Sequence, residues 1–242
     1  MMEPKRLVLM VEGYGDREAA PVLVTRLLKE LHTSKPAFDA VVLDKEPFRI
    51  GNYSNIRSSE GKSGNPNFDK WRRYLQAAAK RKNLGGCLLL LDGDCENTLP
   101  DQKFCAADAA KLLTAEAQKV GAGKLFSVAV VFACMEFESW LISGIESLKG
   151  KSLPDGRKGI PSDLPNNVSV PSDPEKAPRD AKRWLNKVIK GYSPTRDQAA
   201  LTHIVDLNLI HNSSRSFRRL KSALDVLVNA ICSGRHVLSP SP

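Results

Sequence analysis

Three short segments of this chain could do chemistry together. The first reads Val11-Glu12-Gly13-Tyr14-Gly15-Asp16, the second Leu91-Asp92-Gly93-Asp94, and the third Glu136-Phe137-Glu138. Each pair of acids directly follows a short apolar run. Carboxylates crowded together repel one another, and the repulsion is relieved by taking up protons or by holding a cation. An all-oxygen donor set favours Mg2+ or Mn2+ over zinc or copper. One or two such ions can activate a water and stabilise a leaving oxygen in phosphodiester cleavage.

For these acids to meet, the runs before them must be neighbouring strands. Arg6 to Val11, Gly86 to Leu91 and Leu125 to Ala133 read as strands, the second being continuously apolar, as in a parallel sheet buried on both faces. Asp16 to His32 reads as a helix with Pro21 near its first turn, and Phe38 to Leu43 as a further strand. Helices are expected over Phe68 to Lys82, Gln102 to Val120 and Glu136 to Leu148. This alternation predicts an α/β fold over residues 1–150, with a parallel sheet flanked by helices. In such a sheet ligands bind beyond the carboxyl ends of the strands, where all three acidic pairs lie.

Asn52 to Asn67, rich in Gly, Ser and Asn, is expected to be a functional loop. Residues 151–177 form a Pro-rich loop or linker, six prolines falling between Lys149 and Pro178. A helical C-terminal region over 178–235, packed on or beside the sheet, is expected as helices from Pro178 to Ile189, Thr195 to Leu207 and Ser216 to Ile231. The last eight residues are expected to fray. Trp71, Trp140 and Trp184 sit on apolar stripes and are expected in the core.

The 242 residues carry 36 Lys and Arg against 27 Asp and Glu, a net charge of +9. Residues 1–150 contribute +2 of this and residues 151–242 the remaining +7. A basic C-terminal third beside an acidic rim suits a polyanion, so nucleic acid is the expected partner. Candidate phosphate contacts are Arg72 and Arg73, Lys182, and Arg215, Arg218 and Arg219, the last three opening a helix whose amides also suit an anion. No apolar run reaches the roughly 18 residues of a membrane span, so no membrane contact is expected. Nothing near the N-terminus reads as a signal peptide, and five cysteines cannot all pair, so the expected location is cytoplasmic. Neither His nor Cys shows zinc spacing. Gly13-Tyr14-Gly15 meets Glu18 at the third glycine position of a dinucleotide motif, which would repel a pyrophosphate.

Glu12 after the first strand, followed by Asp92-Gly93-Asp94 after a later one, resembles the Toprim domain of topoisomerases, primases and related nucleases. The Glu12 and Asp16 pair is similar to the Toprim nucleases of the overcoming-lysogenisation-defect type. Glu136 to Leu141, and the stretch from Lys176 through Tyr192 to Phe217, resemble a bacterial Toprim-like family often encoded beside ATPases and linked to phage defence. The resemblance implies that Glu12 is a general acid or base or a ligand, that Asp92 and Asp94 coordinate Mg2+, and that Asp16 serves a second ion. Glu138 is an auxiliary ligand candidate. Gly15 departs from the hydroxyl residue often found before the second acid. No topoisomerase tyrosine can be assigned, so hydrolysis is preferred to strand passage.

The expectation is therefore a Mg2+-dependent nuclease acting on DNA or RNA, with catalytic Glu12, Asp92 and Asp94 and an ATPase partner in a defence system. The sequence leaves a homo-oligomer open. A PIN-type nuclease would lack the paired Asp-x-Asp. The alternative of another class is a non-catalytic module that senses a metal or nucleotide and binds nucleic acid or a partner ATPase.

Overall fold

The computed structural model of the chain describes residues 3–34, 41–59, 66–94 and 104–242. The N-terminal part runs β1 (Lys5–Val11), α1 (Tyr14–Ser34), β2 (Val41–Leu43), β3 (Phe48–Arg49) and α2 (Tyr53–Ile56). It continues through β4 (Ser58–Ser59), β5 (Pro66–Asn67), α3 (Asp69–Ala79), β6 (Leu84–Asp92), α4 (Ala106–Gln118) and β7 (Ser127–Ala133). The C-terminal part holds α5 (Phe137–Ser143), α6 (Ala181–Val188), α7 (Ala199–Ile204), α8 (Leu207–Ser213), α9 (Arg215–Cys232) and β8 (Leu238–Ser239).

The main sheet has the order β2-β1-β6-β7-β8, with β3 also pairing β1, and every pairing in it is parallel. This is the expected α/β architecture. Because successive strand residues face opposite sides, each central strand feeds two cores. Leu7, Leu9, Val11, Leu88, Leu90, Ala129 and Val131 meet α1 and the C-terminal helices. Val8, Met10, Leu89, Leu91, Val128 and Val130 meet α2, α3 and α4. Burial on both faces explains why the β6 sequence is apolar without alternation.

The helices follow their stripes. Trp71, Leu75 and Ala78 bury one side of α3, and Phe217, Leu220, Leu224, Leu227, Val228 and Ile231 bury one side of α9. Trp71, Trp140 and Trp184 are all buried, each donating its indole N–H to an oxygen, of Leu113, Ser216 and Ser169 respectively. Helices α6 to α9 share one core with the sheet, and Leu153 and Ile160 from the Pro-rich segment are buried in it too.

Several boundaries differ from expectation. Helix α1 begins at Tyr14, which puts Pro21 in its interior rather than near its start. Burial of Ala19, Ala20, Leu23, Val24 and Leu27 outweighs the hydrogen bond that proline cannot make. The loop expected at 52–67 contains α2, capped by the Asn52 side chain accepting from Asn55 N at 2.9 Å. It also holds the antiparallel pair β4-β5, while residues 60–65 lie outside the described residues. Residues 38–40 of the second expected strand and 102–103 of the expected helix likewise lie outside the described residues. The single helix expected from Thr195 to Leu207 is a five-residue π-helical turn (Pro194–Gln198) running into α7. Asp206 breaks it, because its side chain accepts from Asn208 N at 2.8 Å and starts α8.

The tail does not fray. Leu238 and Ser239 pair with Val128 and Ala129 of β7, the Ser127 hydroxyl accepts from Val237 N, and Arg219 donates to the Ser239 hydroxyl. The two-residue strand was too short to show a period, but an edge of β7 needed a partner. Among the described residues no helix is long and apolar enough to cross a membrane.

Candidate active site

The three acidic segments converge at the carboxyl edge of β1, β6 and β7. Register places Val11 beside Leu90 and Asp92 beside Ala133, so the chain leaves all three strands at nearly one level. Glu12 turns back across β6, and its Oε2 accepts from Asp92 N at 3.2 Å. Asp16, in the first turn of α1, accepts from Gly13 N at 2.9 Å through Oδ2 and from Gln198 Nε2 at 3.0 Å through Oδ1. Gly15 is a packing requirement: a Cβ there would lie 2.7 Å from the Pro194 side chain, in the turn that also supplies Gln198. The departure from a hydroxyl residue at this position therefore reflects close approach of the C-terminal layer.

At the end of β6, Asp92 Oδ1 accepts from Phe137 N at 2.9 Å. It thereby serves the start of α5 in place of Glu136, the residue at the cap position, whose side chain makes no capping bond. Gly93 follows because a Cβ would come within 2.7 Å of the Ala133 carbonyl oxygen, from which the backbone of β7 cannot retreat. Its N–H donates to Ala133 O and Met135 O. Asp94 is exposed. Met135, between β7 and α5, has φ of +66°, an uncommon value for a residue with a Cβ. This turn aims Glu136 and Glu138 back at the rim.

Lys182, expected to face nucleic acid, reaches from α6 into the acids. Its ammonium lies 3.1 Å from Glu136, 3.6 Å from Asp92 and 4.0 Å from Glu138. Its backbone N–H also donates to Glu136 Oε2 at 3.1 Å. Glu138 is completely buried. Its Oε1 accepts from the Tyr192 hydroxyl at 3.1 Å, whereas its Oε2 has no hydrogen-bond partner.

One ammonium does not balance this much acid. Burial pushes Glu12 up to about 7, helped by the charges of Asp16 and Asp94. Burial likewise raises Glu138 to about 7 against the pull of Lys182. Asp92 lies well above the ordinary carboxyl range through burial first and then Asp16 and Glu12. Burial works against the charge on Lys182, but Glu138, Asp92 and Glu136 outweigh it and raise its pKa. Tyr192 is raised by burial and by Glu138 and keeps its proton.

Of the other basic candidates, Arg72 and Arg218 are engaged within the chain. Arg72 ties α3 to α4 by pairing with Asp69 and Glu116. Arg73 lines a shallow cavity with Phe48 and Tyr74. Arg218 donates to the carbonyls of His211 and Asn212. The start of α9, expected to attract an anion, already has one within the chain. Buried Glu175 accepts from Arg215 N at 3.0 Å, Ser216 N at 2.7 Å and the Ser214 hydroxyl at 2.7 Å, with Arg215 Nε at 3.4 Å. Burial opposes its charge, yet the bonds from Ser216, Ser214 and Arg215 hold its pKa below the ordinary value.

Tyr192, Gln198 and Glu175 escaped sequence reasoning as site residues because each acts on a partner far away along the chain. Of the three, only Glu175 had a local cue, its place in a polar stretch where prolines forbid regular structure. Among the described residues no group of three or more His, Cys, Asp or Glu side chains is disposed to hold a metal ion by itself. The donors nonetheless suit a hard cation. They are all oxygens, one buried oxygen of Glu138 accepts no hydrogen bond, and Mg2+ usually takes only one or two carboxylates, completing its shell with water and substrate phosphate.

The fold and rim define an α/β protein with a parallel sheet and an under-compensated carboxylate cluster where such folds bind ligands. The chain belongs to the family described as a domain of unknown function (DUF4276), which it matches over residues 11–225. Searches of curated proteins and of solved structures gave no match.

Proposed function

We propose that this protein is a Mg2+-dependent nuclease that hydrolyses phosphodiester bonds of nucleic acid at the rim formed by Glu12, Asp16, Asp92, Asp94, Glu136 and Glu138. The observation that carries this reading is the delivery of acids from three adjacent strand ends to one rim, with Lys182 as their sole close cation among the described residues. Asp92 and Asp94, with Glu12 and Asp16 beside them, would hold the divalent ion, and Glu138 would support it from the α5 side. When bound, Mg2+ would polarise the phosphoryl group and neutralise charge developing on it.

The chain's own groups support the rest of the chemistry. Glu12, with a pKa of about 7, can accept a proton from an attacking water near neutral pH and return it to the leaving oxygen. The Lys182 ammonium can offset negative charge on a non-bridging phosphate oxygen. Tyr192 and Gln198 hold Glu138 and Asp16 in place and act as positioning residues. A second reading, a non-catalytic module, draws on one specific observation: Lys182 already bridges Asp92 and Glu136 as an internal counter-ion.

Incubation of the protein with single- and double-stranded DNA and RNA, with Mg2+ or with chelator, tests the proposal. Cleavage is expected to require Mg2+ and to fall at least about a thousandfold in the Asp92→Ala/Asp94→Ala double variant. Undiminished cleavage by a folded double variant would reject the assignment, and absence of cleavage on every substrate would favour the module.

A further inference from the structure

Strand β8 covers only part of β7. Leu238 and Ser239 pair with Val128 and Ala129, and the chain then turns away at Pro240. The polar groups of a strand point alternately to its two neighbours. The Val128 N–H donates to Val237 O, so those of Val130 and Phe132 point to the same side. The pairing of Ala129 with Ser239 gives the Val130 N–H to Ser239 O, and beyond it, among the described residues, no strand meets the Val130 C=O or the N–H and C=O of Phe132. Buried backbone groups of this kind ordinarily find partners.

Beside this uncovered edge lies a cavity of about 670 Å³ between the first turns of α4 and the start of α9. Its walls are apolar where Ala106, Ala107 and Ala110 face Val130 and Phe132. Its other side is cationic. Lys111, Arg215 and Arg219 all line it against a single acid, Glu175, which is committed to the amides of α9. Arg219 is half-buried and donates to the Ser239 hydroxyl at 2.9 Å, leaving the rest of its fork of donors for a ligand. Gly93 forms part of the wall, so the cavity opens next to Asp92 and Asp94.

We infer that this cavity receives one unstacked nucleotide of the substrate, adjoining the phosphodiester that is cut. The base would lie between the alanines of α4 and the edge of β7, its donors and acceptors meeting the Val130 C=O and the N–H and C=O of Phe132. Its phosphate would face Arg219 and Arg215. The inference rests on the nuclease reading, and it makes single-stranded nucleic acid the preferred substrate, since a base inside a duplex would first have to be flipped out of its stack. The volume falls within the range of about 300–1,000 Å³ typical of small-ligand sites. An added peptide strand would use the same edge, but the uncovered stretch is short and is closed by Pro240, and the cations favour a phosphate.

Two cysteines make the cavity testable without activity. Cys105 and Cys134 line it, whereas Cys232 does not. In the full-length protein, alkylation of Cys105 and Cys134 is followed by mass spectrometry with Cys232 as internal reference. A ribo- or deoxyribonucleoside 5′-monophosphate is expected to slow alkylation at least fivefold. Inorganic phosphate and the unphosphorylated nucleoside are each expected to have little effect. Ala107→Trp, at an exposed helical position, and Arg219→Ala should each abolish the protection. Single-stranded oligonucleotide should be cleaved at least tenfold faster than its duplex. No protection by any nucleotide, protection that survives both variants, or protection by an acidic extended peptide in place of nucleotides would overturn the inference. Protection without Asp92- and Asp94-dependent cleavage would reject the nuclease reading and leave the cavity assignment standing. Such cleavage without protection would do the reverse.

Discussion

Two charged centres of this protein are near mirror images. At the rim, one lysine is surrounded by carboxylates; at the start of α9, one carboxylate is surrounded by amides, hydroxyls and an arginine. Glu175 finds a donor for each oxygen and sits below its ordinary pKa. Glu138 has an oxygen without a hydrogen-bond donor and sits at about 7. Both are buried carboxylates, so burial alone does not separate them. The number of donors aimed at each does: it marks α9 as a fastening, and it leaves the rim to the cation-binding role proposed for it.

That contrast can be broken most sharply at Glu175. Its replacement by Ala would strand the donors of Ser214, Arg215 and Ser216, and denaturant unfolding should show a loss of about 3–4 kcal/mol. Lys182→Met should act with a pH signature instead. At pH 8, with chelator present, loss of the central cation should cost about 2 kcal/mol, allowing for the partial exposure of Lys182. At pH 5, where Glu12 and Glu138 are largely protonated, that cost should be smaller. A variant equally destabilised at both pH values would show that Lys182 is a packing residue.

The parent protein should show the same asymmetry more weakly. Glu12 and Glu138 are raised from 4.5 to about 7, so between those values the folded state binds more protons than the unfolded one. Stability of the metal-free protein must then fall as pH rises through that window and level off above it, by about 1–2 kcal/mol per group after screening. If the ionised rim holds Mg2+ as proposed, saturating Mg2+ should flatten the fall. Thermal unfolding at pH 5 and pH 8, with and without Mg2+, measures both. The smallest effect belongs to Ser214→Ala, which removes the cap bond to Phe217 N and one donor to Glu175. About 1 kcal/mol is expected in the same unfolding assay.

The sheet was legible because its strands are nearly pure apolar runs ending in acids, and those acids occupy the rim they were expected to occupy. The helical stripes of α3 and α9 were legible for the same reason. Sequence reading failed where a few residues act through distant partners. The Lys182 charge appeared to belong to a basic surface, since nothing near it in the sequence shows that Glu136 and Asp92 would surround it. The anion at the start of α9 was sought outside the chain because Glu175 sits in a Pro-rich stretch that offers no periodicity. Asp206 did carry a readable capping signal, and β8 carried none.

The hydrogen bond from Gln198 to Asp16 spans 182 positions of the chain. During synthesis Asp16 emerges early and Gln198 late, at a rate on the order of 5–20 residues per second. On a ribosome that has released only β1 to β7, the rim has neither Lys182 nor Gln198 to hold it, and α9 has not yet covered the strands. Should the protein cut nucleic acid, the cutting centre would be assembled only as the last portion of the chain folds back over the first, leaving the unfinished polypeptide harmless to the messenger that encodes it.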